Sequence, residues 1–149
     1  MKMNDSNKCG GRSPVITDRG GRPLAIDIEC ATKRNPNYRT ALWTGEYLQV
    51  TLMCIPVGGD IGLEVHCDTD QFLRVECGEA LAVMGPCKND LHYRRKLDSN
   101  CAVMVPAGTW HNLINIGNIP LKVYSIYAPP HHPFGTVQRT KAEAQCSEK

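Results

Sequence analysis

The sequence predicts an all-β protein, an antiparallel sandwich or barrel, on three observations. From residue 40 to residue 127 it breaks into short apolar and β-branched runs, each bounded by Gly, Pro, Asn or Asp. No segment before the C-terminal tail sustains a 3.6-residue apolar period. A Pro-x-Gly turn at 106–108 also runs directly into one of the strand-like runs. Many short strands at this spacing read as one closed or two packed sheets, not as alternating helices and strands.

Taken in order, residues 1–22 are polar, basic and Gly-rich, with Gly-Gly-Arg at 10–12 and again at 20–22. Such composition builds no core, and a flexible arm is expected there. Residues 23–149 are then expected to form a single domain. The segment 24–31 alternates apolar and polar residues and predicts a first strand, with a turn at Asn35-Pro36-Asn37. Strands are expected over 40–44, 47–55, 62–66, 71–76, 80–84, 91–96, 102–105, 110–116 and 121–127. After Pro129-Pro130-His131-His132-Pro133 the chain leaves the sheet, and Lys141-Ala142-Glu143-Ala144-Gln145 predicts a short closing helix.

Composition bounds the rest. A chain of 149 residues with 42% hydrophobic content is long enough to bury one core. Seventeen basic residues against fifteen acidic give a net charge of +2, which offers no footprint for nucleic acid or an anionic membrane. No apolar run follows the N-terminal methionine and none approaches the length of a membrane span. A soluble cytoplasmic protein is therefore expected. The eight cysteines (Cys9, Cys30, Cys54, Cys67, Cys77, Cys87, Cys101 and Cys146) lie at least ten residues apart, too far for a zinc knuckle or redox pair. They are expected to be reduced and mostly buried as small hydrophobes.

The chemistry starts from the turn at 106–108. Proline presets one turn dihedral and glycine permits a positive one, so rigid backbone aims His111, three residues after Gly108. On the period of two, His111, Leu113 and Asn115 share a face. Its partners come from residues 58–78. Glu64 and His66, at i and i+2 of a strand, project from one face with β-carbons roughly 7 Å apart. The turn Asp68-Thr69-Asp70 brings Gln71 back beside them. Glu64, His66 and His111 make the set of a 2-His-1-carboxylate face, with Gln71 a fourth, neutral oxygen donor. Read without a metal, the four form a buried polar cluster that binds a ligand directly.

At these residues the chain resembles the cupin superfamily. Its second motif, Gly-x5-Pro-x-Gly-x2-His-x3-Asn, matches Pro106, Gly108, His111 and Asn115, with Asn100 in place of the first glycine. Asn also tolerates left-handed turn geometry. Its first motif, Gly-x5-His-x-His-x(3,4)-Glu-x6-Gly, matches in spacing at Gly58, His66 and Gly78, but Glu64 replaces the first histidine and Gln71 the glutamate. The wider run is similar to small single-domain bacterial cupins of the mannose-6-phosphate-isomerase-like group. The resemblance implies a double-stranded β-helix, or jelly-roll barrel, and a divalent metal held by Glu64, His66, Gln71 and His111. Cupins commonly dimerise by pairing an open sheet edge, so a homodimer is expected.

Two imidazoles, one carboxylate and one amide keep the formal ligand charge at −1 but make the donor set harder. That favours Zn, Mn, Fe(II) or Ni over Cu(I). Three functions follow: a metal-dependent isomerase or lyase on a sugar, sugar phosphate or sugar acid; an Fe(II) dioxygenase; or a non-catalytic small-ligand binder. In the first, Glu64 is either a ligand or the proton-transferring base. Fold alone does not choose among them. His131 and His132 are expected in a rigid exposed exit segment, the alternative being a fold over the barrel mouth. Arg39, Arg74, Arg94 and Arg95 are expected as solvated surface charges, though each could take a phosphate or carboxylate. Arg74 alternates with Gln71 and Leu73 so as to face away from the site. His92 is expected at the surface.

Overall fold

Alternation of apolar and polar residues builds the architecture seen in the computed structural model, which describes residues 16–147. The strands are β1 (Arg39–Thr44), β2 (Gln49–Ile55), β3 (Asp70–Cys77), β4 (Ala80–Gly85), β5 (Tyr93–Leu97), β6 (Ala102–Val105), β7 (Trp110–Asn115), β8 (Leu121–Ala128) and β9 (Val137–Gln138). Two helices flank them, α1 (Ile28–Arg34) and α2 (Lys141–Ser147). A six-stranded sheet runs β6-β3-β8-β2-β1-β9 and a three-stranded one runs β5-β4-β7. All the strand pairings are antiparallel. The all-β expectation holds, and the closing helix falls where its residues predicted it. No helix among the described residues is long and apolar enough to cross a membrane.

The two sheets share one apolar core, drawn from Met53, Ile55, Leu73, Val75, Ala82, Val103, Leu113, Leu121 and Val123. Ile55, Leu121 and Val123 are wholly excluded from solvent, each such side chain being worth about 1.5–3 kcal/mol. Register orders this core into layers. Ile55 pairs with Leu121 and Met53 with Val123; next come Thr51 with Ser125, then Gln49 with Tyr127, which also pairs with Gln71. The same inward face thus passes from hydrocarbon at one end to hydroxyl, amide and phenol at the other. The candidate site residue Gln71 lies at that polar end.

Three expectations need correction. Residues 24–31 do not form a strand: Asp27 accepts a hydrogen bond from the Cys30 backbone N–H at 3.0 Å and caps α1. A Lys33–Glu29 pair spans one turn of that helix, and Ile28 and Ala31 pack it with Leu42, Leu52 and Tyr124 on the sheet's outer face. Residues 62–66 form no regular strand either, because Gly62 sits at φ +86, off the extended backbone. They still reach β7, as Glu64 and His111 exchange both backbone hydrogen bonds, at 3.0 and 2.9 Å. The cysteines differ most. Cys54, Cys67, Cys77, Cys87, Cys101 and Cys146 are free, but all are partly or fully exposed, and Cys30 is disulfide-bonded. Cys54 and Cys101 lie beside apolar runs in sequence yet outside the inward register, which is why their neighbours misled.

The arm expected over 1–22 falls outside the described residues as far as residue 15. Beyond it, Arg19 N–H donates to the Leu42 carbonyl at 3.0 Å, and the Asp18 carboxylate accepts from Thr44 Oγ1 and Gly135 N–H.

Candidate metal centre

Backbone hydrogen bonds set the candidate side chains before any side-chain contact does. Gly108, at φ +80, turns the chain into β7, and its N–H donates to the His66 carbonyl at 2.7 Å. Ala107 N–H donates to the Asp70 carboxylate at 2.8 Å. The Pro-x-Gly turn is therefore clasped to the segment that carries His66 and leads into β3. On β7, His111, Leu113 and Asn115 are buried while Trp110, Asn112 and Ile114 are half-buried, the alternation the period of two requires. Asn100, in the glycine position of the resembled motif, takes φ +76.

Glu64, His66 and His111 come together, each offering a ligand atom within 4.8 Å of the others'. Glu64 Oε1 lies 3.3 Å from His66 Nε2 and 3.4 Å from His111 Nε2. Gln71, buried on β3, places Oε1 3.1 Å from the same His111 nitrogen, and its amide Nε2 points back to Ser125 Oγ at 3.4 Å. The structure thus brings all four predicted residues to one point.

The hydrogen-bond roles at that point are constrained. His111 Nδ1 lies 3.0 Å from the Thr109 carbonyl, which can only accept, so Nδ1 carries the proton. A neutral His111 then turns a lone pair on Nε2 toward two oxygens, Glu64 Oε1 and Gln71 Oε1. Acceptors face acceptors. A shared cation, either a second proton on the imidazole or a metal ion, reconciles them. The donor set fits a divalent ion of intermediate hardness: two imidazole nitrogens, one carboxylate and one amide oxygen. The Thr109 carbonyl is the outer partner that commonly fixes the tautomer of a ligating histidine. Burial pushes the Glu64 carboxyl up, but the His111 and His66 imidazoles beside it outweigh that and hold the group well below the usual carboxylate range.

The segment after β8 is exposed at His131 and half-buried at His132, as expected in part, but it is tied back over the site rather than leading away from it. The Gln49 side chain, fully buried, accepts from the backbone N–H groups of His131 and His132 and donates to the His132 carbonyl. This clasp sets the His131 ring 4.0 Å from the His66 ring, and the His132 ring 5.1 Å from Tyr127. Burial pushes the His132 imidazole down to about 3, with the nearby Arg39 and His131 charges adding to it. Burial likewise pushes the Tyr127 phenol up to about 12, so both groups are neutral at neutral pH.

Sequence reasoning missed Arg39, expected as a solvated charge. It is 2% exposed and starts β1 facing inward, its Nη1 donating to Gln138 Oε1 at 2.7 Å. It also missed Ser125 and Tyr127, which share the face of Leu121 and Val123 at a period of two, a signal that was available. Arg74 does face away, paired with Glu76 at 3.0 Å, and His92, Arg94 and Arg95 are exposed as expected.

Comparison with known proteins agrees with this geometry. Residues 51–127 match the family described as "Cupin domain". The uncharacterised protein YrkC of Bacillus subtilis (strain 168) is 54% identical over 137 residues, 92% of this chain and 74% of that protein. The uncharacterised protein L612 of Acanthamoeba polyphaga mimivirus is 38% identical over 113 residues, 75% of this chain and 69% of the relative. Among solved structures, BH2720 from Bacillus halodurans superposes with a TM-score of 0.87 at 57% identity, covering 88% of this chain and 99% of that one.

Proposed function

The chain belongs to the cupin family, and we propose on that premise that it is a metal-dependent cupin acting on a small polar molecule, a sugar, sugar phosphate or sugar acid. The reaction class we assign is an isomerase- or lyase-type proton transfer, in keeping with the resemblance to the mannose-6-phosphate-isomerase-like group. One observation carries the reading: acceptor atoms of Glu64, Gln71 and His111 converge beside the His66 imidazole, where a shared cation reconciles them. These four would hold the ion. An ion held there, Zn, Mn, Fe or Ni, would supply Lewis acidity toward a carbonyl oxygen of the ligand.

The chain's own residues do the remaining work. Thr109 fixes the His111 tautomer, and the Gln71 amide nitrogen donates to Ser125 Oγ while its oxygen faces the centre. Glu64, its pKa held low by two histidines, is a weak base at neutral pH, which supports the ligand role over the proton-transferring one. The inward polar layer of Thr51, Ser125 and Tyr127 supplies hydroxyl groups suited to a polyhydroxylated ligand. His131 and His132, clasped by Gln49, narrow the mouth above His66.

A second reading has an observation of its own. Glu64, His66 and His111 form the three-sided set that non-haem Fe(II) oxygenases use, so an iron dioxygenase competes with the isomerase. Anaerobic purification followed by metal analysis separates them. Zn, Mn or Ni with solvent-deuterium exchange into a sugar and no oxygen uptake supports the isomerase or lyase. Stoichiometric Fe(II) with substrate-dependent oxygen uptake supports the oxygenase. A ligand that raises the melting temperature but is never turned over leaves only the binding role.

A further inference from the structure

Arg39 is a buried cation without a counter-ion. Its side chain is enclosed at the start of β1, yet no ion pair joins it to a carboxylate among the described residues. Its one hydrogen-bond partner among the described residues is the neutral Gln138 amide, and its guanidinium carbon lies 5.4 Å from the Tyr38 ring centre. Its Nε has no hydrogen-bond partner among the described residues. Arginine is effectively always charged, and a charged donor left unsatisfied inside a protein costs more than a neutral one. Structures keep such a group where something else completes it.

The space for that partner is present. A cavity of about 150 Å³, several times what one water needs, is lined by Arg39 and Glu64 together with Tyr38, Gly62 and Lys141. Lys141 is already paired with Asp60, and the Tyr38 hydroxyl donates to the Ile61 carbonyl at 3.2 Å. That leaves the Arg39 fork as the unspent recognition group in a cavity that also touches the metal-ligating carboxylate. With a divalent ion held, the pocket gathers one ion and one guanidinium against one carboxylate, an excess of positive charge.

We infer that Arg39 is the anion-recognition residue of this pocket, so that the molecule bound beside Glu64 carries a small oxyanion, a carboxylate or phosphoryl group, that the guanidinium receives. This rests on the proposed metal-dependent reading for what the rest of the molecule does, and it narrows that reading from polar ligands in general to acidic ones. A planar guanidinium suits either anion, whereas a lysine would offer only a point charge.

The test titrates the full chain with malonate, its neutral counterpart malonamide, and inorganic phosphate, in metal-free and Mn(II)-loaded protein. Wild type is expected to bind malonate or phosphate at least tenfold more tightly than malonamide even without metal; the tighter of the two anions identifies the group. R39Q should erase that preference while keeping the Mn(II) stoichiometry of wild type. If R39Q does not fold, R39K, which keeps the charge but loses the fork, should weaken the preferred anion at least fivefold. Wild type that does not distinguish anion from amide overturns the inference, as does folded R39Q, or R39K, with anion affinity unchanged. Anion binding that depends on Arg39 in a protein that takes no Mn(II) supports the inference and sinks the metal reading. Mn(II) binding without Arg39-dependent anion preference does the reverse.

Discussion

Replacing Asp60 by asparagine tests how the loop that carries Glu64 is tied down. Asp60 pairs with Lys141 of α2 and accepts from Asn112 Nδ2 of β7 at 2.9 Å, so one carboxylate joins the loop to the helix and to the strand of His111. The asparagine oxygen can keep one acceptor role, but its amide hydrogens then face the Lys141 ammonium. Both partners of the ion pair are about one-third exposed (36% and 31%), which limits the pair to about 1 kcal/mol. Impairing the remaining hydrogen bond adds about 1 kcal/mol, so D60N should cost about 1–2 kcal/mol in all.

The assay is urea unfolding of wild type and D60N across pH. Burial pushes the Asp60 carboxyl up, but hydrogen bonds from Lys141 and Asn112 outweigh it and leave its folded pKa below the ordinary value of 3.8. In acid the unfolded chain therefore binds the proton more readily. The carboxylate's contribution is fully present above the unfolded value and fades as pH falls through the folded one. The two proteins should differ by about 1–2 kcal/mol at pH 7 and converge once the pH falls below the lowered folded value. Equal stability at pH 7, or a gap that persists unchanged in acid, would refute the reasoning.

Other perturbations read separate parts of the structure. Truncating Leu113, buried at the seam between β7 and the core, to alanine should cost about 2–5 kcal/mol in urea unfolding; a loss under 1 kcal/mol would mean the core is not where the register places it. Asn100→Val forces a β-branched residue into φ +76 and should cost about 1–2 kcal/mol, whereas Asn100→Gly should be close to neutral by the same measurement. Gln49→Leu removes the clasp on His131 and His132; amide hydrogen exchange at those two residues should quicken at least tenfold, and unchanged protection would show that the clasp is not what holds them. The homodimer expectation calls for pairing at an open sheet edge, and β6, where Met104 is 65% exposed, is one such edge. Sedimentation should read a dimer for wild type and a monomer for M104K, and a monomeric wild type would end that expectation.

What was legible in the sequence follows the physics of each signal. Period-two alternation places His111, Leu113 and Asn115 correctly because β7 is regular and one of its faces is buried. Glu64 and His66 converge for a reason the pattern did not contain: Gly62 interrupts the strand, and the reciprocal Glu64–His111 backbone pair restores the approach. Residues 24–31 read as a strand because Leu24, Ile26 and Ile28 alternate, yet one aspartate cap and an outer-face apolar patch make a helix of the second half. Arg39 was illegible for a deeper reason. Nothing local distinguishes a buried arginine at a strand start from a solvated one; only the partner strand bearing Gln138, ninety-nine residues away, encloses it. His131 and His132 were obscured likewise, since their position depends on Gln49 across the sheet.

The central claim is that Glu64, His66 and His111, with Gln71, hold one divalent ion. Calorimetric titration of metal-free wild type and E64Q with Mn(II) tests it most directly. The account predicts one ion per chain in wild type and affinity at least a hundredfold weaker in E64Q, which removes the only anionic ligand. Wild type that takes up no ion, or E64Q that binds it as tightly, would contradict the account.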